Sequence, residues 1–402
     1  MDAFIARQPI FDRKKSLFAY ELLFRNGLSN FVPDIDGDVA TSSLLSSSFF
    51  TIGIERITGG RKAFINFTES LIIQEVPLMF PRETTVVEVL EDVRPLESVL
   101  LALKKMSENG YCLALDDFVF QNDLQPMIQL ADVIKIDFRQ TSIAEIRKLL
   151  DSSHLKNKKL LAEKVETNTE FNQASEMGFE YFQGYFFCKP EIIQGKEISS
   201  SSISLLRILA EVNKPDFSFD EIDKMVAKDL SISYKLLRYI NSAFFKRKNE
   251  ITSMKNALVY MGEKELRRFI SLITLSKISA DKPSELIRNS CIRARFCELL
   301  GGISGCAESP DALFTLGLFS NIDAILDQPM TEVMNRLPLS EKIISALVDN
   351  TGPLHAYLEL VTHYERGEWN RIPSLTNSIC VKEEVIPAIY LEACNWSNAL
   401  TS

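Results

Sequence analysis

Leu113-Ala114-Leu115-Asp116-Asp117-Phe118 is a short apolar run that ends on two adjacent carboxylates. Such a run reads as a strand buried on both faces. Successive side chains of a strand point to opposite faces, so Asp116 and Asp117 cannot both decorate one side. Taken alone, the pair reads as turn chemistry at a strand end. Its meaning depends on whether other strands end the same way.

They do. Phe4 to Ile10 and Leu17 to Phe24 flank the polar turn Asp12-Arg13-Lys14-Lys15, which predicts an antiparallel hairpin. Apolar runs follow at Ala63 to Phe67, Val86 to Leu90, Val133 to Asp137, Leu160 to Glu163 and Tyr181 to Gly184. Most gaps carry a helical pattern, such as Leu96 to Met106 with Gly110 just beyond it. Alternating strands and helices predict a parallel sheet, doubly wound or closed. Glu21, Asn66, Glu88, Asp116, Lys135, Glu163 and Gln183 each lie within or at the C-terminal part of a different strand. A barrel gathers those ends at one mouth, whereas an open sheet spreads them along an edge. The expected fold is an α/β barrel of the TIM type with one antiparallel strand, followed by an all-α helical domain.

Carboxylates with an Asn amide, and no His or Cys, form an oxygen-rich set suited to Mg²⁺ or Mn²⁺ rather than zinc. Two such metals can polarise a phosphate and acidify a bridging water, while Lys135 and Arg25 could hold an anionic substrate. The alternative is that each residue only caps its strand or pairs with a neighbour.

Composition narrows the classes. The 402 residues allow two or three domains, and 46% apolar with 25% charged content describes a globular chain. No run approaches the roughly 18 apolar residues of a membrane span. Met1-Asp2-Ala3-Phe4 lacks a signal-peptide pattern, so a cytoplasmic protein without membrane contact is expected. Seven Cys, at 112, 188, 291, 297, 306, 380 and 394, form no Cys-x-x-Cys pair and read as free thiols. The net charge of −9 argues against a nucleic-acid partner. Arg13-Lys14-Lys15 and Lys246-Arg247-Lys248 read as solvated loops.

Pro190 to Ser204, with Gly195 and Ser199 to Ser202, reads as a linker, dividing the chain into 1–195 and 196–402. Beyond it helical periodicity dominates. Ser218 to Glu221 has the form of a capping box, Ser309-Pro310 that of a helix start, and Gly262 ends one helix and admits another from Glu263. None of the three His, at 154, 355 and 363, precedes an Asp. His355 and His363, eight apart, fit one helix face in a surface or satisfied role.

The first half resembles the EAL domain, the cyclic-di-GMP phosphodiesterase domain of bacterial signalling. The likeness rests on Gln8-Pro9-Ile10, Tyr20-Glu21-Leu22-Leu23-Phe24-Arg25, Phe64-Ile65-Asn66-Phe67 and Glu88-Val89-Leu90-Glu91, then Asp116-Asp117-Phe118, Lys135-Ile136-Asp137, Ala162 to Glu166 and Gln183-Gly184-Tyr185. It implies Glu21, Asn66, Glu88 and Asp116 as metal ligands, with Asp117 for a second metal. Lys135 and Glu163 would handle the attacking water. Arg25 and Gln183 would touch the ligand or support the site, and Glu91 and Glu166 would support loops.

Three departures stand out. Val119 to Leu124 contains no Gly where the family has a Gly- and Ser-rich loop. Leu22 replaces a small Ala, and Lys164 replaces a Gly beside Glu163, where it could pair with that carboxylate. Weak or absent hydrolysis is expected.

The second half resembles the HDOD domain, a metal-free helical relative of the HD phosphohydrolases. Lys228 to Ser231, Leu236 to Ala243, Ala257 to Gly262 and Gly317 to Ile322 carry the likeness, with Ser320-Asn321 where HD enzymes carry His-Asp. It implies no metal in this half and a protein partner for it. The leading expectation is a signalling protein whose barrel binds cyclic-di-GMP, or docks a partner, with little hydrolysis. An active phosphodiesterase and a nucleotide-independent scaffold are the alternatives. Homodimer pairing stays open.

Overall fold

The computed structural model describes residues 4–25, 54, 57–116, 124–151, 155–189, 200–213, 254–279, 282–304 and 309–401. Strands β1 (Phe4–Asp12), β2 (Leu17–Arg25), β3 (Lys62–Phe67), β4 (Thr85–Val89), β5 (Cys112–Leu115), β6 (Val133–Asp137), β7 (Lys159–Glu163) and β8 (Tyr181–Gln183) close into one barrel in chain order. β1 is antiparallel to both β2 and β8, and the other pairs are parallel. The expected barrel with one reversed strand is the fold.

The hairpin turn is tied down. Asp12 Oδ1 accepts from the Lys14 and Ser16 amides, each at 2.8 Å. Arg13 donates to the carbonyls of Phe179 and Gly178, both at 2.7 Å, and Lys15 Nζ to Asn168 Oδ1 at 2.8 Å. This cluster is therefore a clasp onto the start of the helix Asn168–Glu176 and the turn that leads into β8, not the solvated loop expected. Lys246 to Lys248 lie outside the described residues.

Helices α1 (Glu97–Glu108), α2 (Gln125–Leu130), α3 (Ile143–Leu150) and α4 (Asn168–Glu176) fill crossovers between parallel strands. Ser142 with Glu145 and Thr167 with Glu170 close reciprocal capping boxes at the starts of α3 and α4. The barrel interior opens on a layer with one residue per strand: Ile10, Ala19, Phe64, Val86, Ala114, Val133, Leu161 and Tyr181. These side chains are all buried, and the layer forms a plug beneath the mouth.

Beyond the barrel the described chain is helical, including α5 (Ser200–Val212), α6 (Met254–Ile278), α7 (Ser284–Ile303), α8 (Pro310–Phe319), α9 (His355–Glu365), α10 (Ile372–Ser378) and α11 (Ile386–Thr401). α6 breaks at Gly262, whose φ of 73° an L side chain adopts only at a cost. α8 starts at Pro310 after Ser309, although the Ser309 side chain makes no capping bond. Ser200 to Ser204 already lie in α5, so the linker is shorter at that end than its composition suggested. The Ser218 capping box lies outside the described residues. α7 and α8 pack so closely that a β-carbon on Gly317 would fall 2.4 Å from the Arg293 backbone.

The chain divides into two compact units. Leu360–Asn377 and Lys382–Asn395 group with the barrel, while Pro190–Glu359 forms the bulk of the second unit.

Candidate active site at the barrel mouth

One step of two residues along each strand converts the apolar plug into a polar layer. From the plug residues this step reaches Glu21, Asn66, Glu88, Asp116, Lys135, Glu163 and Gln183, and, running backward along reversed β1, Gln8. Inward side chains recur every second residue, so the plug fixes where the next layer points. The seven residues singled out in the sequence therefore come together. The eighth, Gln8, was missed. Its signal was the same alternation, read from Ile10 toward the chain start.

Lys135 is fully buried at the centre. Its Nζ lies 2.8 Å from Asp116 Oδ1, 2.8 Å from Glu163 Oε1 and 3.6 Å from Glu21 Oε2, and it is hydrogen-bonded to Glu88 Oε1. Glu21 is fixed from its other side, accepting from Asn66 Nδ2 at 3.1 Å and from Gln183 Nε2 at 2.6 Å. The same Gln183 Nε2 donates to Gln8 Oε1 at 2.9 Å.

One ammonium cannot neutralise four carboxyls. Burial pushes Glu88 well above the usual carboxylate range, with Glu21 adding to the rise against the opposing charge of Lys135. Burial does the same to Glu163; Lys135 opposes it, and Asp116 and Glu21 reinforce it. For Lys135 burial works the other way, yet Asp116, Glu163, Glu21 and Glu88 outweigh it and keep the ammonium charged.

Among the described residues, four buried oxygens of this layer have no hydrogen-bond partner: Asn66 Oδ1, Glu88 Oε2, Glu163 Oε2 and Gln183 Oε1. The two amide oxygens are acceptors, as are the two Glu oxygens once deprotonated, and buried acceptors without donors are rare in folded proteins. An all-oxygen set with unmet acceptors suits a hard divalent cation. Among the described residues no three His, Cys, Asp or Glu side chains stand ready to chelate one, because the carboxylates close on the Lys135 ammonium instead. The residues fit a metal provided that Lys135 yields part of its place.

The remaining candidates stand at the rim or beyond description. Glu166 pairs with Arg139 and with Lys189 Nζ at 3.2 Å. Glu91 is exposed just past β4. Arg25 ends β2, but its side chain is not among those described. Asp117 and the stretch through Asp123 lie outside the described residues. Lys164 does not pair with Glu163. Its backbone is left-handed (φ 54°) and its Nζ lies 2.5 Å from Asp137 Oδ2. Lys164 follows the last residue of β7, and the left-handed turn there carries its side chain to Asp137 instead of Glu163. Gly184 closes the site from behind, since a β-carbon there would fall 1.9 Å from the Val165 carbonyl oxygen.

In the helical unit, Asn321 Oδ1 accepts from Arg293 at 3.0 Å, and its amide donates to Asn289 Oδ1 at 2.9 Å and Ser290 Oγ at 3.2 Å. Ser320 Oγ donates to the Gly317 carbonyl at 2.8 Å. The place where HD enzymes carry His-Asp is thus a knot of hydrogen bonds. His355 and His363 lie on α9, and each has a polar partner, Ala346 O at 3.3 Å and Glu368 Oε2 at 2.5 Å respectively.

The EAL domain family matches residues 56–190, and the HDOD domain family matches residues 199–337. The YuxH protein of Bacillus subtilis, described as uncharacterized, is 36% identical over 100% of this chain and 99% of its own length. A Vibrio cholerae protein named cyclic di-GMP phosphodiesterase CdgJ is 35% identical over 98% of this chain and 92% of its own.

The chain belongs to the EAL–HDOD family.

The EAL match starts at residue 56, after the Glu21-Leu22-Leu23 signature, but the barrel includes both β1 and β2. Among solved structures, the Bacillus subtilis YkuI protein, with an EAL domain and in complex with c-di-GMP and calcium, is 18% identical. It covers 67% of this EAL–HDOD chain and 73% of its own, with a TM-score of 0.38. No helix of the described residues is long and apolar enough to cross a membrane.

Proposed function

We propose that this protein is a divalent-metal-dependent cyclic-di-GMP phosphodiesterase whose helical half engages a protein partner. The observation that carries the reading is the group of four unpartnered buried oxygens around the Lys135 centre. Glu21, Asn66, Glu88 and Asp116 would hold the metal, Mg²⁺ or Mn²⁺, with Asp117 for a second. The bound metal would supply a polarised phosphate and an acidified water. Glu163, raised by burial and 2.8 Å from Lys135, suits the task of accepting the proton of that water. Gln183 orients Glu21 and offers its free carbonyl oxygen to the mouth.

Full-length similarity to a protein named as a cyclic-di-GMP phosphodiesterase supports the substrate. A second reading, binding without turnover, is favoured by the Gly-free run Val119 to Leu124. Of the three departures behind the expectation of weak hydrolysis, Lys164 loses its force because it pairs with Asp137.

The test uses the full chain with Mg²⁺ or Mn²⁺, measuring cyclic-di-GMP binding and its conversion to the linear dinucleotide. Turnover that is lost in E163Q while binding persists supports the enzyme. Binding without turnover selects the second reading, and absence of both would leave a scaffold.

A further inference from the structure

Arg366 reaches the mouth from a part of the chain outside both matched families. Helix α9 ends in paired bonds, Glu368 N to His363 O and Gly367 N to Tyr364 O, each 3.0 Å, the pattern that turns a chain sharply out of a helix. Gly367 has a φ of 69°, and a β-carbon on it would come 2.6 Å from Leu23 Cδ1. Leu23 shares the inward alternation of Ala19 and Glu21, so this turn rests on the mouth side of β2.

The turn is held in place. Tyr364 is fully buried, donates to the Ile5 carbonyl at 3.1 Å, and packs its ring on Trp369 and Tyr390. The Arg366 carbonyl accepts from Gln8 Nε2 at 3.2 Å. Gln8 in turn touches Gln183, and Gln183 touches Glu21. The backbone of Arg366 is thus two side chains away from a metal-ligand candidate.

Its guanidinium lies over the Tyr185 ring, 4.7 Å from the centroid, and Tyr185 follows Gln183 by two residues. Among the described residues, the carboxylate oxygen within ion-pair range is Glu368 Oε1, at a loose 3.9 Å. The side chain is 46% exposed. Neighbouring Glu166 is engaged by Arg139 and Lys189, and the Arg366 charge acts on it only from beyond ion-pair distance. A guanidinium resting over an aromatic ring is already partly ordered, and its planar fork of donors loses less freedom when it binds an anion.

We propose that Arg366 is a ligand-binding residue of the barrel mouth, taking a phosphate of the bound nucleotide from the Tyr185 platform. This rests on the reading of the mouth as a cyclic-di-GMP site and adds a binding group supplied by the C-terminal segment.

The test compares wild type, R366M and R366K as full chains with Mn²⁺ and cyclic-di-GMP. R366M keeps the stem on Tyr185 and removes the charge. R366M is expected to raise KM (Kd where turnover is absent) about tenfold, a loss of roughly 1.4 kcal/mol. It should leave kcat within twofold and the unfolding midpoint unchanged, and R366K should recover part of the affinity. An active wild type with R366M unchanged in KM would overturn the proposal and leave the functional reading intact. A fall in kcat at constant KM would also overturn it, making Arg366 a positioning residue acting through Gln8. A wild type that neither binds nor hydrolyses the nucleotide would remove both.

Discussion

The Lys135 ammonium lies 2.8 Å from the Glu163 carboxylate at the base of the mouth, with Lys135 closed off from bulk water and Glu163 nearly so. Their attraction therefore works in a poorly screened interior, where the cost of separating them is high. Three further carboxyls lean on the same ammonium. Lys135 is the counter-ion of the entire layer.

Removing that counter-ion should be costly, and a metal should offset the loss. Breaking one side of a buried ion pair destabilises by about 3–5 kcal/mol. K135M is expected to lose roughly 3 kcal/mol in chelator, and to recover most of it at a metal concentration about 100-fold above Kd, where linkage contributes about 2.7 kcal/mol. Urea unfolding in chelator and in Mn²⁺ measures both. Equal stability of K135M and wild type in chelator would refute the counter-ion role.

The pH dependence follows from the raised carboxyls. Glu88 and Glu163 titrate above the ordinary Glu value of 4.5 in the folded chain. A group raised on folding contributes stability below its unfolded pKa, and loses it as pH rises through the folded value. Lys135, also raised, keeps its contribution until the solution passes 10.5. Metal-free protein should therefore lose stability as pH climbs above 4.5. Metal needs the deprotonated carboxylates, so its affinity should rise over the same interval. The check is the shift in unfolding midpoint on adding Mn²⁺ at pH 6 and at pH 8. A shift no larger at pH 8 would count against it.

Lys164 offers a gain in stability. A non-glycine residue in the left-handed region costs about 1 kcal/mol or more. Its ion pair with Asp137 joins a lysine side chain 47% exposed to a buried carboxylate. Water screens the lysine end, so the pair contributes about 0–1 kcal/mol. Without it Asp137 keeps the Arg139 and Gln140 amides as donors. K164G should stabilise the barrel by roughly 0.5 kcal/mol, with hydrolysis unaffected. A urea midpoint lower than that of wild type would show that the Asp137 contact outweighs the strain.

How much of this was legible in the sequence varies with the physics of each residue. Period-two alternation and apolar strand runs are local signals, so the barrel and seven members of its polar layer could be read directly. Gln8 escaped because β1 runs backward, and its mouth-facing residue precedes its apolar one. Lys164 was misassigned to Glu163 because adjacency in sequence was taken for adjacency in space, whereas the left-handed turn after β7 carries its side chain to Asp137. The Arg13 clasp was unreadable because its acceptors are the carbonyls of Gly178 and Phe179, and backbone acceptors carry no sequence signature. Arg366 lies 358 positions from Gln8, with no periodicity to connect them.

The seat of Tyr364 under Ile5 sets an order on biosynthesis. A domain emerging from the ribosome folds once its own residues are out. Here the first strand bonds to a helix residue 359 positions downstream, so a nascent chain carrying all eight strands still lacks part of its finished mouth. The site would mature only after that helix has been translated. A barrel excised at residue 190 would present β1 with the partner of its Ile5 carbonyl missing.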